Sequence, residues 1–191
     1  MFFYGRKRKM PTTEKRKLIE EIVNNIILEN EALHTPAFDI VKFLKAEGFA
    51  VAAKLLDDDT TGMLLVDDEN FVPNTTTHKL IVINNLLQEQ DNYIQRRRFI
   101  IAHEYAHYVL HKEGQIQYAH RDTSKRDSPI EKEADFFARC LLMPGKAIRG
   151  LLNLDFIKVL SIDDKISLVS RIFNVTPKKA KQRLEEDFSL T

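Results

Sequence analysis

Apolar residues recur at helical spacing over residues 13–31: Leu18, Ile22 and Ile26, with Val23 and Ile27 beside them. That spacing predicts an amphipathic helix, and Thr12 or Thr13 is placed to cap its start. Thr35-Pro36 then reads as N-cap and N1 of a second helix. Its apolar positions are Ile40, Val41 and Leu44, and Gly48 suits its C′ position. After Gly48 the period shortens. "FAVAAKLL" and "GMLLVD" are short apolar runs on either side of "DDDTT", which predicts two strands joined as a hairpin. "NFVPNTTTHK" reads as loop, and "KLIVIN", residues 79–84, as a β-branched third strand.

Helical periodicity returns over residues 91–112, with Asp91 or Asn92 as cap. The polar segment "KEGQIQYAHRDTSKRD" has few apolar anchors and reads as a loop. In "SPIEKEADFFARCLLMP", Ser128 is a good N-cap, Pro129 fits N1 and Glu131 falls at N3. This helix is expected to run to about Met143, where Pro144 stops it. Residues 147–160 predict one more apolar helix, weakest at Gly150. "DDKISLVSRIFNVTPKKAKQRLEE" reads as helix–turn–helix, with Ile166, Val169 and Ile172 on one face and Thr176-Pro177 opening the last helix. Three strands followed by helices predict an α+β fold. The expected division is a main domain over 1–160 and a small helix–turn–helix-like subdomain over 161–191.

At 43% hydrophobic and 30% charged, the 191-residue chain has an ordinary globular balance and enough length for a sizeable core. The net charge of +1 gives no bulk electrostatic case for nucleic acid or a membrane surface. The charge is uneven: residues 1–17 hold seven Lys/Arg against one acid, leaving 22 against 27 elsewhere. The run Arg6-Lys7-Arg8-Lys9 is expected to be a solvated terminus. Cys140 stands alone, so no intrachain disulfide forms, and a reducing, cytoplasmic setting is expected. No secretory signal and no membrane span are expected.

The chemistry lies in "IIAHEYAHYVLH", residues 100–111. His103 and His107 are four apart on a helix, so they project from one face and are spaced to hold one zinc. Glu104, about 100° further round, reaches a water at that ion without binding it, as a general base must. His111 lies about 12 Å along the axis from His103, too far to complete the set, and is expected to pack or hydrogen-bond at the helix end. A third ligand must come from elsewhere, and "EKEAD", residues 131–135, is the richest source. Glu131 is the choice. Its competing role is the capping box with Ser128, in which case Glu133 is the substitute. Asp135, on the same face as Glu131, is placed to hydrogen-bond a histidine's free ring N–H. Cys140 reads as a small buried apolar residue, and His34, His78 and His120 as exposed or loop residues. Tyr118 or His120 would be the donor to a tetrahedral oxyanion.

"RFIIAHEYAHYVLH" followed by "EKEADFFARCLLMP" resembles the ImmA/IrrE family of zinc-dependent metallopeptidases. The similarity covers roughly residues 80–170. It implies a zincin-like core with Zn2+ on His103, His107 and Glu131, catalytic Glu104, and Asp135 where Asn or Asp is usual. Tyr105-Ala106 replaces the common Leu-Gly, a mild departure. By the same resemblance, strand 79–84 would be the edge that pairs with an extended substrate. The implied substrate is a helix–turn–helix repressor, cut in a phage-like, mobile-element or stress pathway. Two other functions fit the residues: a DNA- or regulator-binding module with structural zinc, and the toxin-like partner of a toxin–antitoxin pair. Lys178, Lys179, Lys181 and Arg183 favour the first of these. The acids Glu185, Glu186 and Asp187 at once blunt it, so direct nucleic-acid binding is not expected.

Overall fold

The structure, a computed structural model, describes residues 11–66, 78–111 and 128–190. Among these residues it is mixed α+β. Helix α1 (Thr13–Glu29) begins where Thr12 Oγ1 accepts from the Lys15 backbone N–H. Its buried stripe is Ile19 and Val23, while Leu18 is half exposed. The periodicity therefore located the helix but set its inner face one residue off. Helix α2 (Ile40–Ala46) starts later than Thr35-Pro36 predicted. Ala37 has φ 56°, which a helix cannot contain. Asp39 Oδ1 is the cap instead, accepting from the N–H groups of Val41 and Lys42. Gly48, at φ 81°, ends α2 in the left-handed conformation its C′ position calls for.

Strands β1 (Phe49–Lys54), β2 (Gly62–Val66) and β3 (Lys79–Asn84) form one sheet in the order β1-β3-β2. β1 runs parallel to β3, and β2 antiparallel to it. The expected hairpin of β1 and β2 is thus absent. The expected edge strand is also corrected, because β3 lies in the middle. The cause is burial. Leu80, Ile81, Val82 and Ile83 are all buried, and a strand apolar on both faces belongs inside a sheet. Buried Asn84 then fixes the connection into β2: its amide donates to the carbonyls of Thr60 and Asp57 at 2.7 and 3.1 Å.

Helix α3 (Tyr93–Leu110) packs against the sheet and against α4 (Pro129–Leu142), and α4 also carries α1. Asn92 precedes α3 in the left-handed conformation without a side-chain cap. Ser128 caps α4 as its sequence predicts, Oγ accepting from Glu131 N–H. The single helix expected over 147–160 is two, α5 (Gly145–Leu152) and α6 (Asp155–Lys158). The break falls at Asn153-Leu154, and Gly150 stays helical with open space around it.

Helix α7 (Ile162–Phe173) turns at left-handed Asn174 into α8 (Pro177–Gln182), capped by Thr176, and the chain then widens into a π-helical turn over Arg183–Asp187. Ile166, Val169, Phe173, Val175, Ala180 and Leu184 join the same buried cluster as α3 and α4. Cys140 is buried there, which pushes its thiol up to about 11. Among the described residues no helix is long and apolar enough to cross a membrane.

Candidate metal centre

Helix α3 delivers His103 and His107 to the interface with α4, where both are buried. Ala102, Ala106, Ala134 and Ala138 are fully buried between the helices, and their small side chains permit close approach. One turn into α4, Glu131 faces the two imidazoles. His103 Nε2 lies 3.1 Å from Glu131 Oε2, His107 Nε2 lies 3.2 Å from Oε1, and the two Nε2 atoms are 3.1 Å apart. Among the described residues these three form a His/Glu group able to hold a metal ion. Ligands at zinc–donor distances of 2.0–2.2 Å around a tetrahedron are separated by about 3.3 Å, so the two imidazole nitrogens are spaced to share one ion, with a Glu131 oxygen close to each.

Proton placement makes the same point. His103 Nδ1 sits 3.0 Å from Asp135 Oδ1 while its Nε2 faces Glu131. Without a shared cation, hydrogen bonds to both carboxylates need a doubly protonated imidazole, although His103 is only 1% exposed. With a cation, neutral His103 donates Nδ1–H to Asp135 and turns its Nε2 lone pair to the ion. The donor set therefore fits a metal. Burial works to raise the Glu131 pKa, but the two imidazoles more than offset it and hold the carboxyl ionised well below the usual range.

Glu131 caps with its backbone, whose N–H donates to Ser128 Oγ, and turns its carboxylate to the two histidines. Glu133, the substitute ligand, points elsewhere: its Oε2 lies 3.3 Å from His111 Nε2 and 3.3 Å from Lys15 Nζ. His111 Nδ1 in turn lies 3.3 Å from His107 Nδ1, so the helix-end hydrogen bond expected of His111 is made to a member of the cluster. Burial pushes the His111 pKa down, against a hydrogen bond to Glu133 that pushes it up. Asp135 also meets Lys179 of α8 at 3.3 Å, a partner the sequence reading did not anticipate. Lys179 Nζ stands 3.8 Å over the Phe99 ring. A cleft of about 420 Å³ opens beside Glu131 and Asp135, walled by Arg96, Phe99 and Lys178 among others. His34 and His78 are exposed as expected; Tyr118 and His120 lie outside the described residues, as does Arg6-Lys7-Arg8-Lys9.

Glu104 is 1% exposed and sits beneath the start of β2. A Cβ on Gly62 would come within 3.2 Å of Glu104 Oε1 and 2.5 Å of Ile100 Cγ2. Gly62 is therefore the clearance that lets β2 lie against α3. Gly62→Ala is expected to cost about 1–3 kcal/mol of stability through overpacking, measured by urea unfolding. Unchanged stability would mean that Ile100 yields freely.

Residues 43–185 match the IrrE N-terminal-like domain, a peptidase family. The chain belongs to that family, whose membership implies a metallopeptidase. A comparison with curated proteins gives no match.

Proposed function

We propose that the chain is a zinc-dependent endopeptidase whose substrate is a helix–turn–helix repressor-type regulator, cut to change gene expression in a phage-like, mobile-element or stress pathway. The observation that carries the peptidase part is the convergence of His103, His107 and Glu131 beside buried Glu104. The repressor part rests on the family resemblance. His103, His107 and Glu131 would hold the ion, with Asp135 fixing the His103 tautomer. When bound, the ion supplies Lewis acidity, polarising a peptide carbonyl and acidifying a water.

The chain's own groups do the rest. Glu104 takes a proton from the attacking water as its oxygen bonds to the carbonyl carbon. The C–N bond then breaks, and the same carboxyl returns the proton to the departing amine. An extended substrate pairs most simply along β2, the edge strand beside Glu104, and not along central β3.

The DNA-binding alternative needs free cations on the last helix. Lys178 is exposed, but Lys179 meets Asp135, Lys181 lies 3.6 Å from Glu185, and Arg183 is fully buried. That weighs against a phosphate-facing surface and favours α8 as a packing element. The test is incubation of the purified chain with a helix–turn–helix repressor, with and without chelator. Chelator-sensitive cleavage is expected. An intact repressor in both arms removes the substrate assignment.

A further inference from the structure

We propose that His111, Glu133 and Lys15 are positioning residues that set the tautomer and aim of His107, which makes helix α1 a contributor to the metal centre. The proposal rests on the metal reading above. His107 turns Nε2 into the ligand triangle and Nδ1 toward His111 Nδ1, 3.3 Å away. A neutral imidazole carries one ring proton, so the position of each proton fixes the next. Glu133 accepts only, so His111 must present Nε2–H to it, across 3.3 Å. His111 Nδ1 is then a lone pair, and the Nδ1 opposite it must be the N–H of His107. That leaves His107 Nε2 as the bare ligand atom. A proton on His111 Nδ1 would push that of His107 to Nε2, where it would block the metal.

The chain of contacts ends in a charge. Lys15, in the first turn of α1, lies 3.3 Å from Glu133 Oε2, an ion pair that holds the carboxylate in place. The second imidazole has the same design: His103 Nδ1 meets Asp135, which meets Lys179. Each ligand histidine is thus backed by a carboxylate and a lysine, one lysine from the first helix and one from α8. A role for His111 as a mere helix stop does not account for this. Its backbone N–H already closes the helix on His107 O at 3.1 Å, whatever the side chain.

The experiment is zinc titration of the full chain, stripped of metal, in competition with a chromogenic chelator. Glu133→Ala and His111→Ala are expected to weaken zinc binding about 10–100-fold, the usual loss when an outer partner of a ligand is removed. Melting of the metal-free protein should stay within a few degrees of wild type. Glu133→Gln and His111→Gln each retain an acceptor and should recover part of the loss. Lys15→Met, at a 40% exposed side chain, should cost only a few-fold. Wild-type zinc affinity in Glu133→Ala overturns the proposal, and Glu133 is peripheral enough to decide it even if His111→Ala fails to fold. A wild-type chain that takes up no zinc removes the metal centre itself. Tight wild-type binding with unchanged variants removes only the relay.

Discussion

Glu104→Gln is expected to lower peptide cleavage about 10²–10⁴-fold, the contribution of a positioned general base, while zinc content stays at the wild-type level. The separation follows from the helix. Glu104 is next to His103 in sequence but about 100° away around α3, and it is Glu131 that joins the two imidazoles in the group able to hold an ion. Glutamine keeps the size of the side chain at a site with almost no solvent exposure, so packing against Gly62 and Ile100 is preserved. What is lost is the ability to take a proton from water and hand it to the amine. Glu131→Ala should behave differently, losing zinc and activity together, because two imidazoles alone make a weak site. Metal analysis beside a cleavage assay separates the two outcomes. Undiminished cleavage by Glu104→Gln refutes the mechanism.

The parts of this site that are local in sequence were legible, and the parts made by distant segments were not. Spacing of four on a helix sufficed to put His103 and His107 on one face. Ser128-Pro129 sufficed to start α4, which placed Glu131 one turn in and Asp135 one turn further. The sheet order failed for a physical reason. Two apolar runs around an acidic turn look like a hairpin, and only the comparison of burial needs among three strands puts "KLIVIN" between the other two. The start of α2 failed because Thr35-Pro36 and Asp39 are both good start signals, and the left-handed Ala37 between them decides for Asp39. Helix amphipathicity is coarse enough that Leu18 and Ile19 could exchange places. The contacts Lys15–Glu133, Lys179–Asp135 and Arg139–Asp187 join α1, α8 and the C-terminal turn to α4. No periodicity marks them, and they follow only once the helices are packed.

Asp187→Ala is expected to destabilise the fold by about 3–5 kcal/mol, the cost of removing one member of a buried ionic cluster. In sequence Asp187 is one more acid after Glu185 and Glu186; in the fold its side chain is wholly buried. It accepts from Arg139 Nε and Nη2 at 3.0 and 3.2 Å, from Arg183 Nη1 at 3.2 Å and from Arg16 Nη2 at 2.8 Å. One carboxylate therefore answers three guanidiniums from α4, the π-helical turn and α1. Arg139 and Arg183 are themselves buried, so deleting the carboxylate strands two cations out of water. The acids nearest at hand are poor replacements. Glu186 is 3.9 Å from Arg139 and Glu20 is 3.7 Å from Arg183, and both side chains are more than 40% exposed. Arginine cannot shed its proton to relieve the cost. Thermal unfolding should register the loss as a fall of roughly 10 °C for a chain of this size. Arg16→Met, at a partly exposed partner, should cost far less. If Asp187→Ala melts within a degree of wild type, the cluster is not what clamps the C-terminal turn to α1 and α4. In that case the alignment of Lys179 with Asp135 must depend on the apolar contacts of Ala180 and Leu184 alone.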